Sequence, residues 1–268
     1  MIIKRGNRRA ILELSSSSVK LLIGPAGKAR GINSFTSMSE KTSTTEGLLG
    51  DRMNLGWYEK HVLPEIIKFK TYCNESGVSD IKCICTAVYR KSSNRNDIFN
   101  LIQEKAEVNP ILLSGEEEAE LAPMGFEKTS NIGGWKLFID QGRGSTELTL
   151  KDPRGKEVDS FSIPYGNGDI RAAIDKEKFI EKAVNLPEVK RILQRAFKVK
   201  ENLEIIGSGG ILTKNLGYKH LDKISLSVLE GNEVLGIFSN ICRYLEKLNI
   251  ITNCADSTYG AWFKYFDK

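Results

Sequence analysis

The chain has 268 residues, 40% hydrophobic and 27% charged, with a formal net charge of +5, which suits two modest α/β domains or one large one. No apolar run is long enough to span a bilayer, and the stretch behind the basic start, Ala10 to Leu14, is too short for a secretory leader, so a cytoplasmic protein with no membrane partner is expected. A charge of +5 favours polyanionic ligands slightly but does not point to nucleic acid.

Arg9 to Leu14 and Val19 to Ile23 read as two short strands joined by Ser15-Ser16-Ser17-Ser18, a turn that can present hydroxyl and N–H groups to an anion or serve as plain loop chemistry. Gly24 to Gly31 is a glycine-rich, basic turn. Leu55 to Cys73 carries Val62, Ile66, Ile67 and Phe69 at helical spacing, which predicts one helix kinked near its start by Pro64. Ile81 to Thr86 reads as a buried strand. Its Cys83 and Cys85 lie in that apolar run and read as buried thiols, and the five cysteines (with Cys73, Cys242 and Cys254) have neither zinc nor Cys-x-x-Cys spacing. His61 lies on the predicted helix, and neither it nor His220 is near a nucleophile motif, so no Ser-His triad or histidine metal site is expected.

Ser93 to Ala106 reads as a helix and Ile111 to Leu113 as a strand; Ser114-Gly115 breaks it, and Glu116 to Phe126 reads as a helix that Pro123 ends or kinks. Strand and helix alternate, which argues α/β. Trp135 to Ile139, Glu147 to Lys151 and Glu157 to Ile163 then form a meander, turned once at Pro153-Arg154-Gly155. Helices follow over Asp169 to Ala183 and Leu186 to Phe197. The second carries Lys190, Arg191, Arg195 and Lys198 around an apolar stripe, a solvated face rather than a polyanion track. Leu203 to Ile206 is a strand leading into Gly207-Ser208-Gly209-Gly210 and a short helix from Ile211; Val234 to Leu248 and Ala255 to Phe266 read as closing helices. Each half opens with a strand, a small-residue turn and another strand, a weak internal repeat.

The most informative stretch runs from Leu137 to Leu148. An apolar run ends in Asp140, a turn Gly142-Arg143-Gly144-Ser145-Thr146 follows, and Glu147 opens the next run. Exposed amides and two hydroxyls in such a turn can cradle a phosphate. The flanking acids repel a phosphate unless a hard cation such as Mg²⁺ lies between. An ordinary hairpin with a glycine turn is the alternative reading of these residues.

Five segments, in order and spacing, resemble the exopolyphosphatase/guanosine-pentaphosphate phosphohydrolase (Ppx/GppA) family. Glu13-Leu14-Ser15-Ser16-Ser17-Ser18 stands where the family has Asp-x-Gly-Ser-Asn-Ser, and Thr86 to Arg90 where it has Thr-x-x-x-Arg. Ser114-Gly115-Glu116-Glu117-Glu118-Ala119 is similar to its Ser-Gly-x-Glu-Glu-Ala, Asp140 to Leu148 to its Asp-x-Gly-Gly-Gly-Ser-Thr-Glu-Leu, and Gly207 to Gly210 to its last glycine turn. The resemblance implies an α/β fold of two ribonuclease-H-like domains in the actin-like ATPase and sugar-kinase superfamily. Mixed sheets flanked by helices would enclose a cleft, with the domains at 1–126 and 127–268 and the last helix packing back on the first.

The resemblance further implies roles. Glu118 would be the general base and Arg90 would hold a substrate phosphate. Ser16, Ser17 and Ser18 would form a first phosphate loop, and Gly142, Arg143, Gly144, Ser145 and Thr146 a second, with Gly209 and Gly210 completing the phosphate contacts. Asp140, Glu147 and Glu13 would position Mg²⁺. The implied activity is Mg²⁺-dependent release of terminal phosphate from polyphosphate or guanosine pentaphosphate, with a homodimer left open. Glu13, Ser15 and Arg143 depart from the family's Asp, Gly and Gly, and Arg143 would be strained if its φ were positive. These departures motivate a degenerate nucleotide- or polyphosphate-binding module as an alternative. An ATP-using kinase or actin-like protein is another.

Overall fold

Two mixed sheets organise the chain. The structure, a computed structural model, describes residues 8–25, 35–129, 133–209, 223–225, 235–246, 249–252, 261 and 264–266. β1 (Arg8–Leu14), β2 (Ser18–Pro25) and β3 (Thr36–Lys41) form an antiparallel meander, while β4 (Leu48–Leu49) and β5 (Arg52–Met53) make a separate ribbon. β6 (Asp80–Cys85) pairs with β1 in parallel and β7 (Pro110–Leu112) with β6, giving the order β3-β2-β1-β6-β7. In the second sheet β8 (Trp135–Gln141), β9 (Thr146–Lys151) and β10 (Glu157–Ile163) repeat the meander. β11 (Leu203–Ser208) pairs with β8 in parallel, β13 (Asn249–Thr252) with β11, and β12 (Lys223–Ser225) adds an antiparallel edge. The same ribonuclease-H-like order thus occurs twice, and the weak repeat in the sequence is a repeat of topology.

Contacts divide the chain into two units between Ser114 and Gly115, with 261 and 264–266 grouping with the first. The expected boundary after Phe126 lies further along, because the helix from Gly115 packs on β9 and β10 and so belongs with the second sheet.

In the first unit Ala10, Leu12 and Leu14 of β1 face the helices α1 (Leu55–His61), α2 (Leu63–Glu75) and α4 (Arg95–Ala106), with Cys83 and Cys85 in the same core. Ile11, which points to the opposite face, is also fully buried. Covering both faces explains why β1 reads as an unbroken apolar run; truncating one such residue to alanine costs about 2–5 kcal/mol. Pro64 does more than kink the expected helix. Two helices meet at Val62, and Pro64 sits in the first turn of α2, where its missing N–H costs nothing. Arg90 lies on a short helix, α3 (Ala87–Lys91).

In the second unit α5 (Gly115–Thr129) covers one face of the sheet. The helix holds Pro123 inside it, as its expected span to Phe126 does, and continues to Thr129. The other face packs against α7 (Lys176–Val184), α8 (Pro187–Lys198) and α9 (Gly236–Tyr244). The helix expected over Asp169 to Ala183 is two: α6 (Asn167–Ala172), and α7, whose start Asp175 caps by accepting from Lys178 N at 3.0 Å. On α8 the basic face is partly committed: Arg191 and Arg195 both bind the Asp159 carboxylate of β10 at 2.9 Å. His220, Cys254, the helix expected from Ile211 and most of the last one fall outside the described residues. Among the described residues no helix is long and apolar enough to cross a membrane.

Candidate functional site

The β8–β9 hairpin brings the second unit's expected residues together. Asp140 and Glu147 are direct cross-strand partners, so their carboxylates leave the same face. The row continues on both sides: Glu147 opposes Ser162 of β10, and Asp140 lies beside Ser208 of β11. Ser162 Oγ donates to Glu147 Oε1 at 2.9 Å. Gly209 follows the row with φ 110°, and a Cβ there would stand 2.5 Å from the Gln141 carbonyl oxygen and 3.2 Å from Asp140 Oδ1. Glycine is therefore required where this turn passes the Asp140 carboxylate. Gly210 lies outside the described residues.

Between the strands, Gly142 N donates to Ser145 O at 3.0 Å and closes a tight loop. Arg143 does not adopt a positive φ, so the departure from glycine carries no backbone strain. Gly142 and Arg143 are backed by a segment outside the expected loops, Gly166-Asn167-Gly168. Asn167 N and Gly168 N donate to the carbonyls of Gly142 and Arg143 at 2.9 Å. A Cβ on Gly166 would come within 2.6 Å of Arg143 backbone, and one on Gly168 within 2.8 Å of Arg143 Cγ. The signal was present as paired glycines just before the predicted helix. Thr146 is fully buried and its hydroxyl donates to Tyr165 O at 2.9 Å, so this member of the expected phosphate loop is turned into the fold.

Glu118 sits in the first turn of α5 with only 9% exposure. Two anchors bracket it. Gly115 lies so close to Ser162 that a Cβ would meet the Ser162 Cβ at 2.7 Å, and the Ala119 carbonyl accepts from Thr149 Oγ1 at 2.7 Å. The second anchor has a cause in the sequence: Pro123 lacks the N–H that would otherwise close the helix onto Ala119, and buried Thr149 takes that carbonyl. Thr149 shares a face with Glu147, so Glu118 is held over the strand that carries the carboxylate row.

The remaining expected residues belong to the first unit. Its β1–β2 hairpin has the same frame. Leu14 and Val19 close the loop as Gln141 and Thr146 do, and Ser15 N donates to Ser18 O at 3.0 Å. The chemistry differs. Glu13 faces Lys20, whose Nζ lies 3.3 Å from Glu13 Oε1. Ser15 Oγ accepts from Ser18 N at 3.2 Å and Ser17 N at 3.4 Å. Arg90 Nη1 donates to Leu113 O at 3.1 Å, just ahead of the Ser114-Gly115 turn.

Among the described residues no group of three or more His, Cys, Asp or Glu side chains is gathered for a metal. The Asp140 and Glu147 pair offers two carboxylates, the number Mg²⁺ takes from protein when waters and substrate phosphates complete its shell. Two opposed acids on one face also repel each other without a cation. The second unit's residues therefore fit the implied ion. Glu13 already faces an ammonium.

A family model described as the Ppx/GppA phosphatase family matches residues 44–224. That span includes Arg90, Glu118, Asp140, Glu147 and Gly209; Glu13 and Ser15 to Ser18 precede it. Among solved structures, an Aquifex aeolicus PPX-GPPA enzyme is 18% identical, with 96% of this chain and 99% of that one covered at a TM-score of 0.72. An exopolyphosphatase from Cytophaga hutchinsonii is 13% identical over 97% of both chains at 0.75. An exopolyphosphatase-like protein is 17% identical over 98% of both at 0.77. At these identities the structural likeness speaks to the fold.

Proposed function

Because the chain belongs to the Ppx/GppA phosphatase family, we propose that it is a Mg²⁺-dependent phosphoanhydride hydrolase releasing terminal phosphate from inorganic polyphosphate or guanosine pentaphosphate. The observation that carries this reading is the row Ser162, Glu147, Asp140 and Ser208, with the Glu118 turn anchored over it. Asp140 and Glu147 would hold Mg²⁺, which when bound neutralises phosphoryl oxygens. The Gly142 to Ser145 turn supplies backbone amides to a phosphoryl group. Arg90 is the first unit's candidate for a phosphate contact, with its Nη1 already donating to Leu113 O. Glu118 takes the proton from the attacking water, a contribution of about 10²–10⁴ in rate; its carboxylate gains the proton as the P–O bond to water forms and the anhydride bond breaks.

A phosphate-release screen tests the reading, using polyphosphate, guanosine pentaphosphate and ATP with and without Mg²⁺. Release from either of the first two, dependent on Mg²⁺ and collapsing in Glu118→Gln, supports it. No release from any substrate overturns it. A second reading is favoured by the closed Ser15 turn: a binding module without turnover. Tight calorimetric binding of polyphosphate with no hydrolysis would select it. Phosphate moved from ATP to a small acceptor would select a kinase.

A further inference from the structure

We infer that the first unit's hairpin is a self-occupied copy of the second's. Ser15 Oγ stands where a phosphoryl oxygen would, and Lys20 Nζ stands where a divalent cation would. The chain therefore takes one cation, at Asp140 and Glu147, and holds no phosphoryl group on the Ser15 to Ser18 turn. This rests on the reading of Asp140 and Glu147 as a cation site.

Register makes the two hairpins comparable residue by residue. Glu13 falls where Asp140 does, each one pair before the pair that closes its loop, and Lys20 falls where Glu147 does. The rows extend alike: Lys20 opposes Ser39 as Glu147 opposes Ser162. Within the loops Ser15 corresponds to Gly142 and Ser18 to Ser145, with the same closing bond of 3.0 Å in each. Two substitutions in this frame change what the hairpin can bind.

The first is Lys20. The Glu13 side chain is 3% exposed and the Lys20 side chain 21%, with 3.3 Å between the charged atoms. A buried carboxylate needs a partner, and here the neighbouring strand provides it. A dication brought to Glu13 would meet an ammonium and be repelled. In the second unit the residue facing Asp140 is another acid, Glu147, so no ammonium stands at the position Lys20 takes in the first. The second substitution is Ser15, whose side chain has no counterpart in Gly142. Its oxygen accepts from the amides of Ser17 and Ser18 and donates to Ser18 O at 3.0 Å. A hydroxyl oxygen has two acceptor lone pairs, and both are used here by the amides that a phosphoryl oxygen would seek. The Ser16 and Ser17 carbonyls are tied back to the amides of Thr45 and of Thr42 and Ser43, so the turn is set in this shape.

Calorimetric titration of MnCl₂ into the full chain decides the cation half. One equivalent is expected in the wild type, lost in Asp140→Asn and unchanged in Glu13→Gln. Binding weakened about tenfold or more by Glu13→Gln overturns the proposal. Lys20→Glu recreates the second unit's carboxylate pair, and it should add an equivalent that Glu13→Gln then removes. A folded Lys20→Glu protein with no added equivalent overturns the proposal, and if that variant does not fold the Glu13→Gln titration decides alone. Should the wild type bind no Mn²⁺ while Lys20→Glu binds one, the cation role of Asp140 and Glu147 falls and the hairpin proposal stands. For the hydroxyl half, Ser15→Gly should raise the affinity for inorganic tripolyphosphate in EDTA about tenfold; an unchanged affinity overturns it.

Discussion

Thr149 Oγ1 donates to the Ala119 carbonyl at 2.7 Å, the position that Pro123 leaves without its helical donor. The bond fixes the turn that carries Glu118. Thr149→Val keeps the shape and removes the donor, leaving a buried carbonyl unsatisfied at a cost of about 1–3 kcal/mol. Phosphate turnover is predicted to fall roughly tenfold to a hundredfold through kcat with KM little changed, as for a displaced catalytic group. Adding Pro123→Ala returns an N–H to Ala119 and should recover most of both losses. A double variant no better than Thr149→Val, by urea unfolding and steady-state kinetics, would sink this account.

Asp140 and Glu147 carry like charges on facing positions. Neutralising one is predicted to stabilise the metal-free protein by about 0.2–1 kcal/mol, the scale of a cross-strand charge pair. The same change should abolish stabilisation by Mg²⁺, since only a ligand that binds the native state raises the melting temperature. Asp140→Asn in EDTA and in Mg²⁺, followed by thermal unfolding, checks both signs. An asparagine variant still stabilised by Mg²⁺ to the wild-type extent would place the ion elsewhere.

Two glycines flanking the same carboxylate should respond in opposite directions. Gly209 has φ 110° and no room for a Cβ beside Gln141 O; Gly142 has neither problem, its nearest contact being 3.5 Å from Ser145 O. Gly209→Ala is predicted to destabilise by about 1–3 kcal/mol. Gly142→Ala should be neutral or stabilising by up to about 1 kcal/mol. Urea midpoints of the two variants test the pair, and equal losses would mean that the turn after β11 is not strained as described.

Most of the long buried strands were legible because they announce themselves as apolar runs: Ile11 and Leu12 are both buried, so β1 needs no alternation to be seen. β3 was missed for the opposite reason. Thr36 to Lys41 is a polar edge strand, alternating between half-buried and exposed, with no apolar stripe. Helix breaks at Val62 and before Asp175 were read as continuous helix, because the apolar spacing carries across both and only Pro64 and the Asp175 cap mark new starts. How the helix tolerates Pro123 was not legible, since the carbonyl it leaves is taken by Thr149, a tertiary partner absent from any local pattern. The carboxylate row follows from two motifs and a meander. The closing of the first hairpin does not, because whether Ser15 and Lys20 serve a ligand or their own chain is a matter of where their side chains turn.

Asp159 ties β10 to α8 through Arg191, whose guanidinium makes two bonds of 2.9 Å to the carboxylate, with Arg195 adding a third contact. The Arg191 hydrogen bonds come first among the causes that hold the Asp159 carboxyl below its ordinary range. A carboxyl depressed in the folded state contributes stability that is fully present above its unfolded value, near 3.9, and is lost as pH falls through the folded value. Asp159→Asn is therefore predicted to destabilise by about 1 kcal/mol or less at pH 7, because both arginines are half-exposed and water screens the pair. The difference from wild type should be flat above about pH 5 and shrink below about pH 4. It should also shrink in high salt. Urea unfolding of both proteins across that range checks the window. A gap that persists undiminished at the acid end would assign the loss to packing of α8 against β10 rather than to charge.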